Sequence, residues 1–356
     1  MQSLWWHFLY TNDREFLETR AFTPLKEAVQ FLVAYMTRAD AHGTSWGDDR
    51  YHVFPTVPPE LYGLRPGFAK NIDCLADLTL VRSIFRAFET ACSVLGAEQT
   101  ESAVLEQVRE ILSHFPDYPT AETPEGPVYV SVKGENPGIV YNVPVSTMTV
   151  FPGEEHGLES SPHDYNLAVR SYRHQRNEGG NELVFLNLVG ARLGSLDLER
   201  FKRQVDYCLL PNGTCTDKVI QTDGRYTDDT PYDFMSRMGI WFENFALPVV
   251  INECLLQSYS GKIRLFPNWP ADKPAEFRTL RSVGAFLVSA SRSAGGVDWI
   301  VIESEAGSSI NLVNPWVGPA RCKRDRGSGE SVGNLTGSVL TIETEPGDLI
   351  TLSAAG

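Results

Sequence analysis

Apolar residues recur every three to four positions along the first two-thirds of this chain, then switch to alternation in short runs. The opening, Gln2-Ser-Leu-Trp-Trp-His-Phe-Leu-Tyr10, predicts a short, mostly buried helix. Asn12 or Asp13 is placed to cap a second helix bearing Phe16, Leu17 and Phe22. Thr23-Pro24 predicts a restart, Thr as cap and Pro at the first helical position, with Leu25, Ala28, Val29, Leu32, Val33 and Met36 on one face. Ile72 to Val94, stopping at Gly96, and Ala97 to Leu112, ended by Phe115-Pro116, form a second pair. Residues 127–152 read as short strands or extended loop. Helices resume over 164–172, 182–193, 198–207 and 232–257, the last kinked at Pro248. From Gly261 the pattern is β: Ile263-Arg-Leu-Phe, Ala285-Phe-Leu-Val, Trp299-Ile-Val-Ile, Ile310-Asn-Leu-Val and Val339-Leu-Thr-Ile, spaced by glycine turns. The expected chain is mainly α, an α/α-hairpin toroid over residues 1–260 followed by an antiparallel β-sandwich over 261–356.

One stretch breaks the helical rhythm. Tyr51-His-Val-Phe-Pro-Thr-Val-Pro-Pro-Glu60 holds Pro55, Pro58 and Pro59, which remove amide donors and force extended backbone. A stiff loop ending on a carboxylate at the mouth of a helical scaffold suits a general acid, although a solvated loop glutamate is the commoner outcome.

Lys and Arg number 31 and Asp and Glu 45, a formal charge of −14. So acidic a surface repels phosphate backbones, and no basic run with interleaved aromatics is present, so nucleic acid is not an expected partner. No apolar run is long enough to cross a membrane, and no secretion signal opens the chain. The aromatic share, 11%, suits either a core or a carbohydrate cleft, where ring faces stack on sugar C–H groups. The six cysteines form no metal pattern; Cys208 and Cys215 lie across a turn where a bridge is conceivable. Neither a metal nor an organic cofactor is expected.

Several segments, in order, resemble the inverting glycosidases of glycoside hydrolase family 95, chiefly α-L-fucosidases with some α-L-galactosidases. Trp6-His-Phe-Leu-Tyr-Thr-Asn-Asp-Arg-Glu-Phe-Leu17 is similar to a helical segment of that family, and Tyr51 to Glu60 resembles its loop bearing the general acid. Asp77-Leu-Thr-Leu-Val-Arg82, Pro144-Val-Ser-Thr-Met-Thr-Val-Phe-Pro-Gly153 and Glu253-Cys-Leu-Leu-Gln-Ser258 continue the likeness. The resemblance implies a six-hairpin toroid, an (α/α)6 fold, hydrolysis of a terminal α-linked sugar from an oligosaccharide or polysaccharide, and Glu60 as acid. It also implies an aspartate base in an Asp-Pro-x-His-Arg-His run and two asparagines ahead of the first helix. This chain reads Glu135-Asn-Pro-Gly-Ile-Val-Tyr-Asn142 in the first place and begins too late for the second. About four of six hairpins are counted, so the expectation is a C-terminal portion of a longer enzyme, or a divergent relative.

Inversion needs two carboxyl groups roughly 6.5–9.5 Å apart. Glu60 is the expected acid, with burial beside Phe54, Tyr62 and the prolines raising its pKa. Glu135 is the first candidate base, followed by Glu154, Glu155, Asp164 and Glu243. His7, read on an inward face beside Trp5 and Trp6, is a candidate substrate contact or a core histidine. His52, Asn142, His156, Arg176, Trp241 and Asn244 are the other candidate sugar contacts. Two rivals stand beside this reading: the same scaffold acting on another glycan, and a carbohydrate-binding or structural piece without turnover.

Overall fold

The computed structural model describes every residue except 41, 140–142, 176–181, 210–214, 217–238, 328 and 356, and the backbone alone at 182, 207–208, 215–216 and 239–245. Its contacts divide the chain into two units. Arg20–Val250 is one; Gln2–Thr19 groups with Ile251–Gly356 as the other. The helices are α1 Gln2–Thr11, α2 Arg14–Phe16, α3 Phe22–Tyr35, α4 Leu75–Leu95, α5 Ser102–Ser113, α6 Pro162–His174, α7 Glu182–Arg192, α8 Leu198–Cys208 and α9 Trp241–Leu255.

In the first unit α3, α4 and α5 pack on one another, and α7 packs on both α6 and α8. The reason is the apolar stripe. Leu75, Leu78, Val81, Phe85, Phe88 and Cys92 of α4 are all buried, and each large side chain contributes about 1.5–3 kcal/mol by leaving water. Phe22 of α3 stacks on Phe88, ring centroids 5.8 Å apart. Gly96 closes α4 in the left-handed region (φ 70°), where a side chain would be strained. Ser161 caps α6 by accepting from the Asp164 amide.

The Thr23-Pro24 restart is not seen. A π turn, Leu17–Ala21, leads directly into α3, whose N-cap is Ala21 with no side-chain bond. Proline lacks an amide and crowds the carbonyl four residues back, and widening the preceding turn relieves both. Between α5 and α6 the chain makes a small antiparallel pair, β1 Thr120–Ala121 with β2 Val128–Tyr129, and a 3-10 turn at Val145–Thr147. The short pair β3 Cys215–Thr216 and β4 Gly239–Ile240 precedes α9, in which Pro248 lies as expected.

The second unit begins with β5 Leu256–Gln257 and β6 Arg264–Leu265. Then come β7 Ala275–Ser282, β8 Phe286–Ser293, β9 Gly296–Ser304, β10 Ile310–Val313, β11 Ala320–Asp325, β12 Glu330–Leu335, β13 Val339–Ile342 and β14 Leu349–Ala354. Six strands form one antiparallel sheet in the order β12-β11-β14-β9-β8-β7; β10 pairs with β13. Val288, Ile300, Ile302, Ile350 and Leu352 of the large sheet share a core with Ile310, Leu312, Leu340 and Ile342 of the small one. With this much sheet the chain is α and β in two parts rather than mainly α.

Helix α1 belongs to this second unit for a specific reason. Its last carbonyls have no partner within the helix. The Gly284 amide donates to Leu9 O at 2.8 Å and Arg281 to Tyr10 O at 3.2 Å. The Asn12 side-chain amide donates to Ser308 Oγ at 2.7 Å. Among the described residues, no helix is long and apolar enough to cross a membrane, and no group of three or more His, Cys, Asp or Glu could hold a metal ion.

Candidate active site

The proline-rich loop is pinned from several sides. Tyr35 of α3 donates to Pro55 O at 2.6 Å, and the Thr56 hydroxyl donates to Asp77, in the first turn of α4. Asn71, fully buried, is the hub. Its side-chain amide donates to Thr56 O (2.9 Å) and Gly63 O (2.7 Å), and its Oδ1 accepts from the Arg65 amide. Thr56 N in turn donates to Asn71 O at 2.8 Å. Burial raises the Asp77 carboxyl above the usual carboxylate range, with the Thr56 bond opposing.

Glu60 ends this loop on a turn with φ 58° and is solvent-exposed, not buried as its expected acid role required. The burial in this segment goes to Val53, Thr56 and Pro58 instead. Glu135 is 5% exposed. Its Oε1 accepts from the Tyr62 hydroxyl at 2.8 Å and its Oε2 from the Ser131 amide at 2.6 Å. Burial and this bond push the Tyr62 hydroxyl pKa up. Lys70 Nζ sits 4.2 Å over the Tyr62 ring. Glu135 therefore anchors the turn that follows Glu60.

His52, 8% exposed, lies at the start of the loop. Its Nδ1 is 2.6 Å from Asp73 and its Nε2 3.0 Å from Asp48. Burial works to lower its pKa, but the two carboxylates outweigh it and the net shift is upward. Asp73 also accepts from the Val53 amide at 2.9 Å, so the imidazole and the loop backbone share one carboxylate. Trp46 packs its ring 5.3 Å from His52 and 5.2 Å from Phe54. His52 lines a cavity of about 490 Å³ with Trp46, Asp48, Arg50, Asp73 and Tyr118 among its walls.

A buried polar cluster lies in the same unit. Arg82 reaches Glu155 at 2.6 Å and stacks over Phe115 (4.4 Å) and Tyr118 (5.0 Å). The Tyr118 hydroxyl donates to Glu155. Burial works to raise the Glu155 carboxyl pKa, and Arg82 and Tyr118 override it, so the net shift is downward. His156, expected to face the cleft, is instead buried with its ring stacked on Tyr129 and its Nδ1 3.2 Å from the Tyr129 hydroxyl. Burial lowers its pKa, Glu155 opposing. Gly153 lets the loop close here: a Cβ would overlap the Thr79 methyl and sit 2.7 Å from Met148 O.

The remaining candidates divide. Glu154 pairs with buried Arg192 at 3.0 Å, and Asp164 accepts from Ser161 in the α6 cap. Both are committed to structural partners. His7 is exposed, with its ring 4.0 Å from Phe16. The buried stripe of α1 runs through Phe8, and the neighbouring position turns about 100° away. Asn142 and Arg176 lie outside the described residues, as do the side chains of Cys208, Cys215, Trp241, Glu243 and Asn244. Sequence reading missed Asn71, Asp73 and Trp46 as parts of this assembly. The polar pair in Asn71-Ile-Asp73, just ahead of an apolar helix, was the available signal.

Residues 1–125 match the glycosyl hydrolase family 95 catalytic domain. Alpha-L-fucosidase 2 of Arabidopsis thaliana is 22% identical over 277 residues, 76% of this chain and 30% of that protein. The chain thus spans under a third of the length of that curated relative. Among solved structures, the alpha-L-rhamnosidase from Dictyoglumus thermophilum aligns over 99% of this chain and 39% of its own, at 11% identity and a TM-score of 0.44.

Proposed function

We propose that this chain, family 95-like over residues 1–125, is the catalytic portion of a glycoside hydrolase. Its reaction is removal of a terminal α-linked sugar of the L-fucose or L-galactose type, with inversion. The observation that carries the reading is the position of Glu60: it falls inside the family-matched segment, on a loop held on both sides by Asn71. The helical part, to about residue 260, is proposed as part of an (α/α)6 toroid, with helix neighbours packed in chain order and the long loops between α3 and α4 and between α5 and α6 carrying the chemistry.

In this reading Glu60 protonates the departing glycosidic oxygen. An exposed carboxyl on an anchored turn is accessible to that oxygen, and bound substrate would exclude water from it. Glu135 is proposed to activate the attacking water. An ionised carboxylate has about four acceptor positions, and Tyr62 and Ser131 occupy two, leaving room for a water. His52, Asn142, Arg176, Trp241 and Asn244 are the proposed substrate contacts.

Hydrolysis of α-L-fucosyl and α-L-galactosyl disaccharides, whose sugar leaving groups must be protonated to depart, by the wild type and Glu60→Gln tests the reading. Loss of a general acid lowers kcat by about 10²–10⁴-fold. Equal rates would remove Glu60 from the mechanism, and a retained anomer, seen by NMR, would exclude inversion. The exposure of Glu60 and the double anchoring of Glu135 favour a second reading, a carbohydrate-binding piece without turnover. Sugar binding with no hydrolysis of any glycoside would select it. Hydrolysis of other glycosides alone would point to the same scaffold acting on a different glycan.

A further inference from the structure

Apart from His52, already proposed as a substrate contact, the cavity is built from groups that no step above uses. Trp46 and Tyr118 supply rings; Asp48, Asp73 and Asp117 supply carboxylates; Arg50 and Lys133 supply cations. Glu60 and Glu135 are not among its walls. At about 490 Å³ it falls in the ordinary range of ligand pockets, roughly 300–1,000 Å³.

Its charges are already balanced against one another. His52 lies between Asp73 and Asp48, and Arg50 pairs with Asp117 at 2.8 Å. An anionic ligand therefore meets no surplus of positive charge, and three carboxylates oppose it. An apolar ligand would strip water from these ion pairs with nothing to replace it. A neutral polyhydroxylated ligand meets neither obstacle. Its hydroxyls donate to carboxylate lone pairs left open by the ion pairs, and its C–H faces lie on the rings. The accessible carboxylates suit this: the Asp48 and Asp117 side chains keep 48% and 86% of their surface exposed.

We propose that this cavity is a recognition site for neutral sugar units of the substrate, separate from the carboxylates that break the bond. The inference rests on the glycosidase reading for the nature of the polymer. It makes the chain selective for a glycan whose neutral units extend beyond the terminal sugar.

Calorimetric titration of the whole chain with lactose, cellobiose and maltose, and with digalacturonate as the anionic counterpart, tests it. At least one neutral disaccharide is expected to bind with a Kd below about 10 mM, and digalacturonate at least tenfold more weakly. Ala69 is an exposed residue on the cavity wall, and Ala69→Trp fills the space. This variant is expected to lose about tenfold or more in affinity at an unchanged melting temperature. Asp117→Asn, which keeps the shape, is expected to lose several-fold. Absence of binding by every disaccharide, tighter binding of digalacturonate, or affinity unchanged in both variants would overturn the proposal. Nitrophenyl fucoside hydrolysis separates the two readings. Turnover without disaccharide binding sinks the cavity proposal alone, and binding that Ala69→Trp abolishes, with no turnover, sinks the glycosidase reading alone.

Discussion

The Tyr62 hydroxyl donates a 2.8 Å hydrogen bond to Oε1 of Glu135, joining two loops that stand far apart in the chain. Glu135 has a second donor in the Ser131 amide, so a buried carboxylate fixes the turn that follows Glu60. The acid candidate and the base candidate are thus coupled through one phenol. Any change at Glu135 acts on both.

Tyr62→Phe leaves that carboxylate oxygen without its donor, at a cost of about 1–3 kcal/mol. Urea unfolding of Tyr62→Phe, Glu135→Gln and the double variant is expected to give a coupling energy above about 0.5 kcal/mol. Additive losses would show that the two residues do not act as a unit.

Asn71→Asp preserves size but replaces an NH2 donor with an acceptor facing the Thr56 and Gly63 carbonyls. The buried site then holds two unpaired carbonyls and a repelled carboxylate. The expected destabilisation is about 3 kcal/mol or more, read from the denaturant midpoint. Proteolysis should also begin within residues 55–65. An unchanged midpoint would mean that the loop does not depend on this hub.

Arg82→Ala strands Glu155, whose side chain is only 11% exposed. Breaking a fully buried pair costs about 3–5 kcal/mol; Arg82 keeps 21% of its side chain exposed and Arg86 stands 3.5 Å away, so the low end, about 3 kcal/mol, is expected. Arg82→Lys should recover part of the charge but not the stacking on Phe115 and Tyr118. Equilibrium unfolding of both variants checks the order.

The two buried histidines should tilt stability in opposite directions with pH. The His52 pKa is raised in the folded state, so between its unfolded and folded values the native chain holds more protons. Its contribution is complete below the unfolded value, about 6.5, and is lost as pH rises through the folded one. The His156 pKa is lowered, so its contribution is present above about 6.5 and lost as pH falls through the folded value. Relative to wild type, His52→Gln should therefore fare better as pH rises from 6 to 8.5, and His156→Gln better as pH falls from 7 to 5. Parallel stability curves for wild type and either variant would contradict the assignment.

Much of the helical unit was legible because helix periodicity and capping are local. The stripe of α4 and its stop at Gly96 follow from spacing alone. The tail read as sheet for the same reason, although β7, β11, β12 and β14 escaped notice. Two of these, β11 and β12, carry few buried residues, so no strong alternation marked them. Pro24 misled because a π turn and an N-cap both accommodate proline, and the choice between them depends on packing beyond the local sequence.

By itself the sequence determined where most of the helices and part of the sheet form and that one proline-stiffened loop carries a glutamate, since backbone geometry imposes a period on neighbouring residues. Tertiary structure alone decided which side chains meet. It sent α1 to the sheet unit, turned His7 outward, buried Glu135 under Tyr62, and set His52 between Asp48 and Asp73. Those outcomes hang on contacts between residues distant in the chain, where burial and charge pairing are settled by the fold as a whole.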